Sequence, residues 1–119
     1  MYIKSVDVRI EKRENVQGGA GYVLIDQLLE GENLPPNADM FAVCTLEKGC
    51  EIGKHFHIGD TEFYYCLSGE GELDDNGTKY AFVPGDVTRC MDGDFHAIIN
   101  KKDEPLKFLV MIVKITEEV

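Results

Sequence analysis

Residues 49–69, with the sequence GCEIGKHFHIGDTEFYYCLSG, contain the pattern that decides the fold of this chain. His55 and His57 are two residues apart, so on a strand both side chains would point to the same face. A tight connection around Gly59 follows, and Glu62 then opens a run of aromatic and apolar residues that is typical of a strand. An antiparallel return would place the Glu62 carboxylate opposite the two histidines.

A second stretch, residues 85–100 with the sequence GDVTRCMDGDFHAIIN, contains the third and last histidine of the chain, His96. A β-barrel could bring the strand of His96 beside the first two, with its side chain facing inward. Three imidazoles and one carboxylate are a good ligand set for a first-row divalent metal. We therefore predict that His55, His57, Glu62 and His96 are metal ligands. The alternative is a group of ordinary hydrogen-bonded histidines.

The two stretches resemble the two signature motifs of the cupin superfamily, in its small form with one conserved barrel. The positions that match are Gly49, His55, His57, Glu62 and Gly69 in the first motif, and Gly85, Gly93, His96 and Asn100 in the second. The second motif departs at Met91, where the family usually has proline. The resemblance implies an all-β fold, a double-stranded β-helix or jelly-roll barrel. It also implies a divalent metal at the barrel mouth, held by His55, His57, Glu62 and His96.

Composition limits the organisation and the partners of the chain. Its 119 residues are enough for one domain, with residues 1–38 as an N-terminal arm and linker and residues 39–116 as the barrel. The formal net charge of −10 argues against nucleic acid or an anionic membrane as a partner, because both require a basic face. The first residues do not resemble a secretory leader, so we expect a cytoplasmic protein with its four cysteines reduced.

The pattern outside the motifs predicts short strands separated by turns, without an amphipathic helix between them. The predicted strands are 2–10, 40–47, 53–57, 62–69, 71–74, 78–83, 86–90, 95–100 and 106–115, with 22–29 as either a strand or a short helix. The last strand is apolar on both faces, so it is either central in the fold or covered by a second subunit. We expect a homodimer in which the arm pairs with the neighbouring subunit. The alternative is an arm folded back on its own barrel.

Alternation of side chains along a strand indicates which other residues face the metal. If Glu62 points inward, so do Tyr64, Cys66 and Ser68, and if His96 points inward, so do Ile98 and Asn100. The Tyr64 hydroxyl is a candidate to hydrogen-bond a substrate, and the alternative is that its ring only fills the barrel. Arg89 is a candidate to bind a substrate carboxylate through two parallel hydrogen bonds, and the alternative is a solvent-facing arginine. Tyr64 and Arg89 are therefore the candidate catalytic residues.

Two functions of different classes remain open at this point. The first is a metalloenzyme (an oxidoreductase, a decarboxylase or an isomerase) that acts on a small organic acid or sugar chelated by the metal. The second is a metal-dependent binding or sensor protein without turnover. The ligand set suits Mn, Fe, Co, Ni, Cu or Zn and does not choose among them. The superfamily contains both enzymes and binding proteins, so the resemblance does not select a reaction. Asp60 and Asp94 are near the ligands in sequence but are expected on exposed turns, so no carboxylate is assigned to a position behind a ligand.

Overall fold

The computed structural model describes residues 1–115 and shows an all-β protein, as the sequence predicts. Its ten strands are β1 Arg9–Glu14, β2 Tyr22–Leu29, β3 Ala38–Leu46, β4 Glu51–Phe56, β5 Asp60–Ser68, β6 Gly71–Asp75, β7 Thr78–Phe82, β8 Val87–Cys90, β9 Phe95–Ile99 and β10 Leu106–Lys114. Single turns of 3-10 helix occur at Ser5–Asp7, Val16–Gly18 and Gly31–Asn33. Within the described residues, no helix is long or apolar enough to cross a lipid bilayer. The predicted end of the barrel at position 116 lies outside the described residues.

The strands form two antiparallel sheets. The six-stranded sheet has the order β1-β2-β3-β10-β5-β8, and the four-stranded sheet has the order β4-β9-β6-β7. From β3 onward the chain crosses repeatedly from one sheet to the other, so strands that follow each other in sequence often face each other across the core. This is the connectivity of a jelly-roll barrel, in which most hydrogen-bonded neighbours are distant in sequence.

The core lies between the two sheets and follows the two-residue period of the strands. The six-stranded sheet contributes Val23, Ile25, Ala42, Cys44, Leu46, Tyr64, Cys66, Leu106, Phe108 and Val110, and the four-stranded sheet contributes Ile52, Leu73, Phe82 and Ile98. The last strand, β10, lies between β3 and β5 and is therefore central in its sheet. Its inward side chains are all but inaccessible to solvent, which explains one of its two apolar faces.

The N-terminal arm differs from the prediction in its first strand. Residues 2–8 alternate in sequence like a strand, but they pair with no strand among the described residues, and Tyr2 and Val6 are more than four-fifths exposed. Pairing begins only at Arg9, where β1 meets β2, and β2 in turn pairs with β3 of the same chain. The segment at 22–29, left open between strand and helix, is a strand. Alternation in sequence therefore predicts a strand only where a partner edge is available.

The loop between β1 and β2 connects the arm to the second sheet. Ala20 and Glu51 exchange backbone and side-chain hydrogen bonds, with Glu51 N donating to Ala20 O over 2.9 Å and Ala20 N donating to Glu51 Oε1 over 3.0 Å. Gly53 lies so close to the loop that an added Cβ would collide with the carbonyl oxygen of Gln17. A residue with a side chain would therefore push the loop away from β4.

Asn100 connects three segments beneath the core. Its buried side chain donates from Nδ2 to the carbonyl oxygens of Leu46 and Glu104, each over 2.8 Å, and its Oδ1 accepts from the backbone N–H of Lys102. Ile98, two residues earlier on the same face, is also buried, as alternation predicts. This places Asn100 in a structural role, because among the described residues its side-chain hydrogen bonds all go to backbone groups.

We expect Asn100→Ala to lower the free energy of unfolding by about 2–4 kcal/mol, because it leaves buried carbonyl groups without a donor. Urea denaturation followed by circular dichroism measures the change. Asn33→Ala is the matched control, since Asn33 is exposed and its loss should cost less than about 0.5 kcal/mol. Equal midpoints for the two variants would contradict the role assigned to Asn100.

Candidate metal centre

The four predicted ligands come together where the two sheets meet. His55 and His96 are cross-strand partners on β4 and β9 of the four-stranded sheet, and His57 follows the end of β4. Glu62 lies on β5 of the six-stranded sheet and reaches the histidines from the other side of the barrel. The prediction that Glu62 returns on a strand paired with the histidine strand is therefore wrong in detail, because β4 and β5 belong to different sheets.

Two backbone hydrogen bonds between two loops fix the position of His57. Its backbone N–H donates to Asp94 O over 3.0 Å, and its carbonyl accepts from Gly93 N over 2.8 Å. Gly59 follows with a φ of +78°, a left-handed conformation that favours glycine, and its N–H donates to Asp92 Oδ1. The chain can thus turn within a few residues and enter β5 with Glu62 pointing inward.

The ligand atoms converge on one point. The Nε2 atom of His96 lies 3.1 Å from the Nε2 atoms of both His55 and His57. Glu62 Oε1 lies 2.9 Å from His96 Nε2, 3.0 Å from His57 Nε2 and 3.8 Å from His55 Nε2. All four ligand atoms fall within 4.8 Å of one another, and three of the four residues are buried. This group could hold a metal ion.

Hydrogen bonds behind two of the rings determine which nitrogen carries the proton. His55 Nδ1 lies 2.7 Å from Gly53 O, and His57 Nδ1 lies 2.7 Å from Asp60 Oδ1. A carbonyl and a carboxylate only accept, so both Nδ1 atoms must donate. The lone pairs of the neutral rings are then on the Nε2 atoms and point into the site. Such bonds behind a ring orient histidines that bind metals.

The donor chemistry therefore fits a cation. Nitrogen lone pairs and a carboxylate oxygen face each other at about hydrogen-bonding distance, and they repel unless a positive charge lies among them. The hydrogen bond to Glu62 raises the pKa of His57 to about 9 against the opposing effect of burial, so the arrangement favours a positive charge beside this carboxylate. Burial lowers the pKa of His96. Burial would raise the pKa of Glu62, but the three imidazoles beside it hold that pKa well below its usual range.

The ring of His96 is held by stacking. Its Nδ1 is buried without a hydrogen-bond partner among the described residues. The Tyr64 ring lies nearly parallel to it, with 4.9 Å between the centroids, and Phe108 packs behind Tyr64. Burial raises the pKa of Tyr64 well above its usual value, so its hydroxyl stays protonated. Tyr64 thus fills the barrel, as one reading of the sequence has it, and also lines the cavity described next.

The ligand group opens into a cavity of about 390 Å³. Most of its wall is apolar and comes from both sheets: Val23, Ile25, Met40, Ile52, Val110 and Ile112. Arg13 and Gln17 of the N-terminal arm complete the wall on one side. The four candidate ligands therefore lie at a largely apolar recess, where electrostatic interactions are stronger than in bulk water.

The structure does not place Arg89 in this cavity. On β8 the side chains of Thr88 and Cys90 point inward and are buried, and Arg89 between them is exposed. Its cross-strand partner is Phe63, which alternates outward from Glu62 and Tyr64. The structure matches the alternative in which Arg89 faces solvent. Side chains alternate between the two faces along a regular strand, so Arg89 points away from the face that Thr88 and Cys90 share.

Alternation also fails at one predicted inward residue of β5. Tyr64 and Cys66 are buried as predicted, but Ser68 is exposed. The register of β5 against β10 shifts between Cys66 and Ser68, and a single extra residue reverses the faces. The shift lies at the end of the barrel away from Glu62, so the ligand positions are unaffected.

Sequence reasoning missed two residues of the site. Asp60 was expected on an exposed turn, but its carboxylate binds His57 Nδ1, three residues back along the chain. Its spacing and the intervening Gly59 were the available signal, because a glycine turn lets the chain fold back over that distance. Arg13 lies in the arm, about forty residues before the motif, and only the packing of the arm on the barrel brings it to the cavity.

Comparisons with known proteins agree with this architecture. A family model described as "Cupin domain" matches residues 42–112. A protein of Thermotoga maritima named "Oxalate-binding protein" is 36% identical over 113 residues, which cover 95% of this chain and 93% of that protein.

Solved structures extend the comparison to the fold. A crystal structure from Thermotoga maritima, described as a predicted oxalate decarboxylase, superposes with a TM-score of 0.91 at 36% identity and covers 97% of this chain and 100% of that chain. The cupin domain of Cnp3 from Schizosaccharomyces pombe superposes with a TM-score of 0.74 at 16% identity, covering 97% of this chain and 74% of that chain. The second likeness is one of fold alone.

We expect Cys44 and Cys90 to resist alkylation in the folded protein. Burial raises the pKa of both thiols to about 12, so at pH 8 they are neutral, and the thiolate is the reactive form. Iodoacetamide labelling at pH 8, read by mass spectrometry, should leave both unmodified, while all four cysteines react in urea. Labelling of Cys44 in the folded state as fast as in urea would contradict this environment.

Proposed function

The chain belongs to the cupin superfamily, and from this premise we propose that it binds a small organic acid through a divalent metal held by His55, His57, Glu62 and His96. The observation that carries the proposal is the convergence of three Nε2 atoms and one carboxylate oxygen within 4.8 Å. Two of those rings are held by acceptors that direct their lone pairs into the site. Such a donor set suits Mn, Fe, Co, Ni, Cu or Zn.

Charge and similarity favour a carboxylate as the ligand. Neutral imidazoles and one carboxylate leave a divalent ion with a net charge of +1, which attracts anionic oxygen donors. The similar protein from Thermotoga maritima carries the name "Oxalate-binding protein" and aligns with 95% of this chain. Oxalate is therefore the first acid to test, and the sugars considered from sequence come second.

The residues around the group would support binding in distinct ways. Asp60 and the Gly53 carbonyl fix two imidazoles, and Tyr64 holds the third by stacking. The apolar wall restricts water around a bound acid. A divalent ion in this place supplies Lewis acidity, which polarises a bound carboxylate or carbonyl.

Turnover of the bound acid is the alternative, as a metal-dependent oxidoreductase, decarboxylase or isomerase. A general base in the cavity, beside the metal positions that are open to the acid, would favour turnover. Among the described lining residues, the Asp60 carboxylate is engaged with His57, and the Tyr64 hydroxyl and the Cys44 thiol remain protonated. This lining favours binding. Incubation of the metal-loaded protein with oxalate, followed by assay for formate and carbon dioxide, distinguishes turnover of oxalate from binding alone.

A homodimer is the assembly we propose. The outward side chains of the six-stranded sheet form an outer apolar face, made of Phe41, Val43, Phe63, Tyr65, Val87, Leu109 and Met111. These residues are cross-strand neighbours, so the face is continuous. Two copies with a charge of −10 repel each other, and contact through this mostly apolar face, on which Arg89 lies beside Phe63, keeps most of their carboxylates apart.

We expect His57→Ala to remove most of the bound metal and to leave the β-sheet circular dichroism signal unchanged. Elemental analysis of natively purified protein gives the metal per chain. Asp60→Asn should weaken metal binding by roughly tenfold to a hundredfold, because it weakens the acceptor behind His57. The charge-matched control is Asp7→Asn, at an exposed position outside the site. Unchanged metal content in His57→Ala would refute the proposed site.

Tyr65→Glu should convert the dimer into a monomer, because it places a charge in the centre of the outer apolar face. Light scattering coupled to size-exclusion chromatography measures the mass, and metal content should stay the same. Tyr80→Glu is the control, since Tyr80 is similarly exposed but lies on the four-stranded sheet. A monomeric wild-type protein would rule out the assembly.

A further inference from the structure

We propose that Arg13 determines the specificity of the metal cavity by binding the distal carboxylate of an acid longer than oxalate. The inference rests on the proposed function, because it takes the metal end of the cavity as the place where the first carboxylate binds. The ligand class is a dicarboxylate with a 2-hydroxy or 2-oxo group at one end and a short methylene chain to the other carboxylate.

The position of Arg13 on β1 directs it toward the cavity. Its cross-strand partner is Val23, and partners on paired strands project from the same face of the sheet. Val23 is buried and lines the cavity, and Arg13 lines it too. The Arg13 side chain is about half exposed (51%), which places the guanidinium at the mouth, where an entering acid passes.

Glu11 holds the guanidinium by one edge only. Arg13 Nη2 and Nε both donate to Glu11 Oε2, over 2.9 Å and 3.2 Å. The other oxygen, Oε1, accepts from Arg9 Nη2 and Gln27 Nε2, so Glu11 is itself held by two neighbours. Within residues 1–115, Arg13 Nη1 makes no hydrogen bond. The edge formed by Nη1 and Nη2 therefore has N–H groups free for the two-point contact that a carboxylate prefers.

Glu11 acts as an anchor that stays charged. Hydrogen bonds from Gln27 and Arg13 lower its pKa to about 2, so the carboxylate is ionised over the whole physiological range. An ion pair of this kind restricts the rotamers of a long side chain before the ligand arrives. Arg13 thus loses less conformational freedom on binding than a free surface arginine would.

Charge in the cavity supports an anionic ligand at Arg13. Among the described lining residues Arg13 is the one lysine or arginine, while Asp60 and Glu62 are both engaged with histidines. The chain as a whole carries −10, which repels an approaching dianion. A local cation at the mouth offsets this repulsion at the point where the acid must enter.

The size of the cavity indicates a ligand longer than oxalate. A water molecule takes up about 30 Å³ of liquid volume, so a cavity of about 390 Å³ far exceeds what the six heavy atoms of oxalate require. The remaining wall consists of side chains such as Val23, Ile25 and Val110, which suit methylene groups. An acid bound at the metal through one end would fill this space with its chain and present its second carboxylate at the mouth.

The test compares two five-carbon acids that differ only at the far end. 2-Hydroxyglutarate has a distal carboxylate, 2-hydroxyvalerate has a methyl group there, and oxalate probes the metal end alone. Calorimetry is done on metal-loaded wild-type protein, Arg13→Met, Arg13→Lys and Arg89→Met. Arg89→Met removes an exposed arginine outside the cavity and is the matched control.

We expect wild-type protein to bind 2-hydroxyglutarate at least roughly tenfold more tightly than 2-hydroxyvalerate. Arg13→Met should weaken 2-hydroxyglutarate binding by roughly tenfold to a hundredfold and leave the other two ligands and the metal content unchanged. Arg13→Lys should retain part of the affinity, because it keeps the charge without the planar fork. Arg89→Met should bind all three like wild type.

The outcomes separate this inference from the proposed function. If oxalate binds but wild type does not prefer 2-hydroxyglutarate, or if Arg13→Met binds it as Arg89→Met does, the role of Arg13 is overturned and the metal site stands. If wild-type protein holds no metal, or binds none of the three acids, the proposed function fails and this inference fails with it.

Discussion

Hydrogen bonds at the back of the imidazole rings determine what the front of the site can bind. The Gly53 carbonyl and the Asp60 carboxylate each require a proton on the Nδ1 that faces them. The Nε2 lone pairs of the neutral rings then point at one another and at Glu62, beside a largely apolar recess. A buried group of this kind is stable only around a positive charge. This arrangement depends on the whole fold. His96 and Glu62 lie on different sheets, so the two sheets must pack at a defined distance for their ligand atoms to come together.

The N-terminal arm is part of the same construction. Its loop packs against β4 at Gly53, where a side chain would collide with the Gln17 carbonyl, and the Gly53 carbonyl in turn orients His55. The arm therefore reaches His55, one of the candidate metal ligands, through the backbone of one glycine. It also supplies Arg13 to the cavity wall. The N-terminal arm, which the sequence presents as an extension of the barrel, thus contributes to the orientation of His55 and to the charge at the cavity entrance.

Local patterns predicted the parts of the structure that depend on local physics. Most strands of the barrel were predicted within a few residues, because alternation of apolar side chains follows directly from the pleat. The inward orientation of Tyr64, Cys66, Ile98 and Asn100 followed from the same rule. The rule failed where a partner or a register intervened. Residues 2–8 alternate without a strand to pair with, and the shift after Cys66 turned Ser68 outward.

The sequence by itself determined the all-β fold and which four side chains form the ligand group, because their spacing and chemistry are properties of the chain alone. Only the tertiary structure decided that Glu62 meets the histidines from the opposite sheet, that Asp60 lies behind His57, and that Arg13 rather than Arg89 lines the cavity. The physical reason is that these relations depend on how two sheets and an arm pack across the barrel. Packing brings together residues that are far apart in the chain. The two-residue alternation along a single strand carries no information about such contacts.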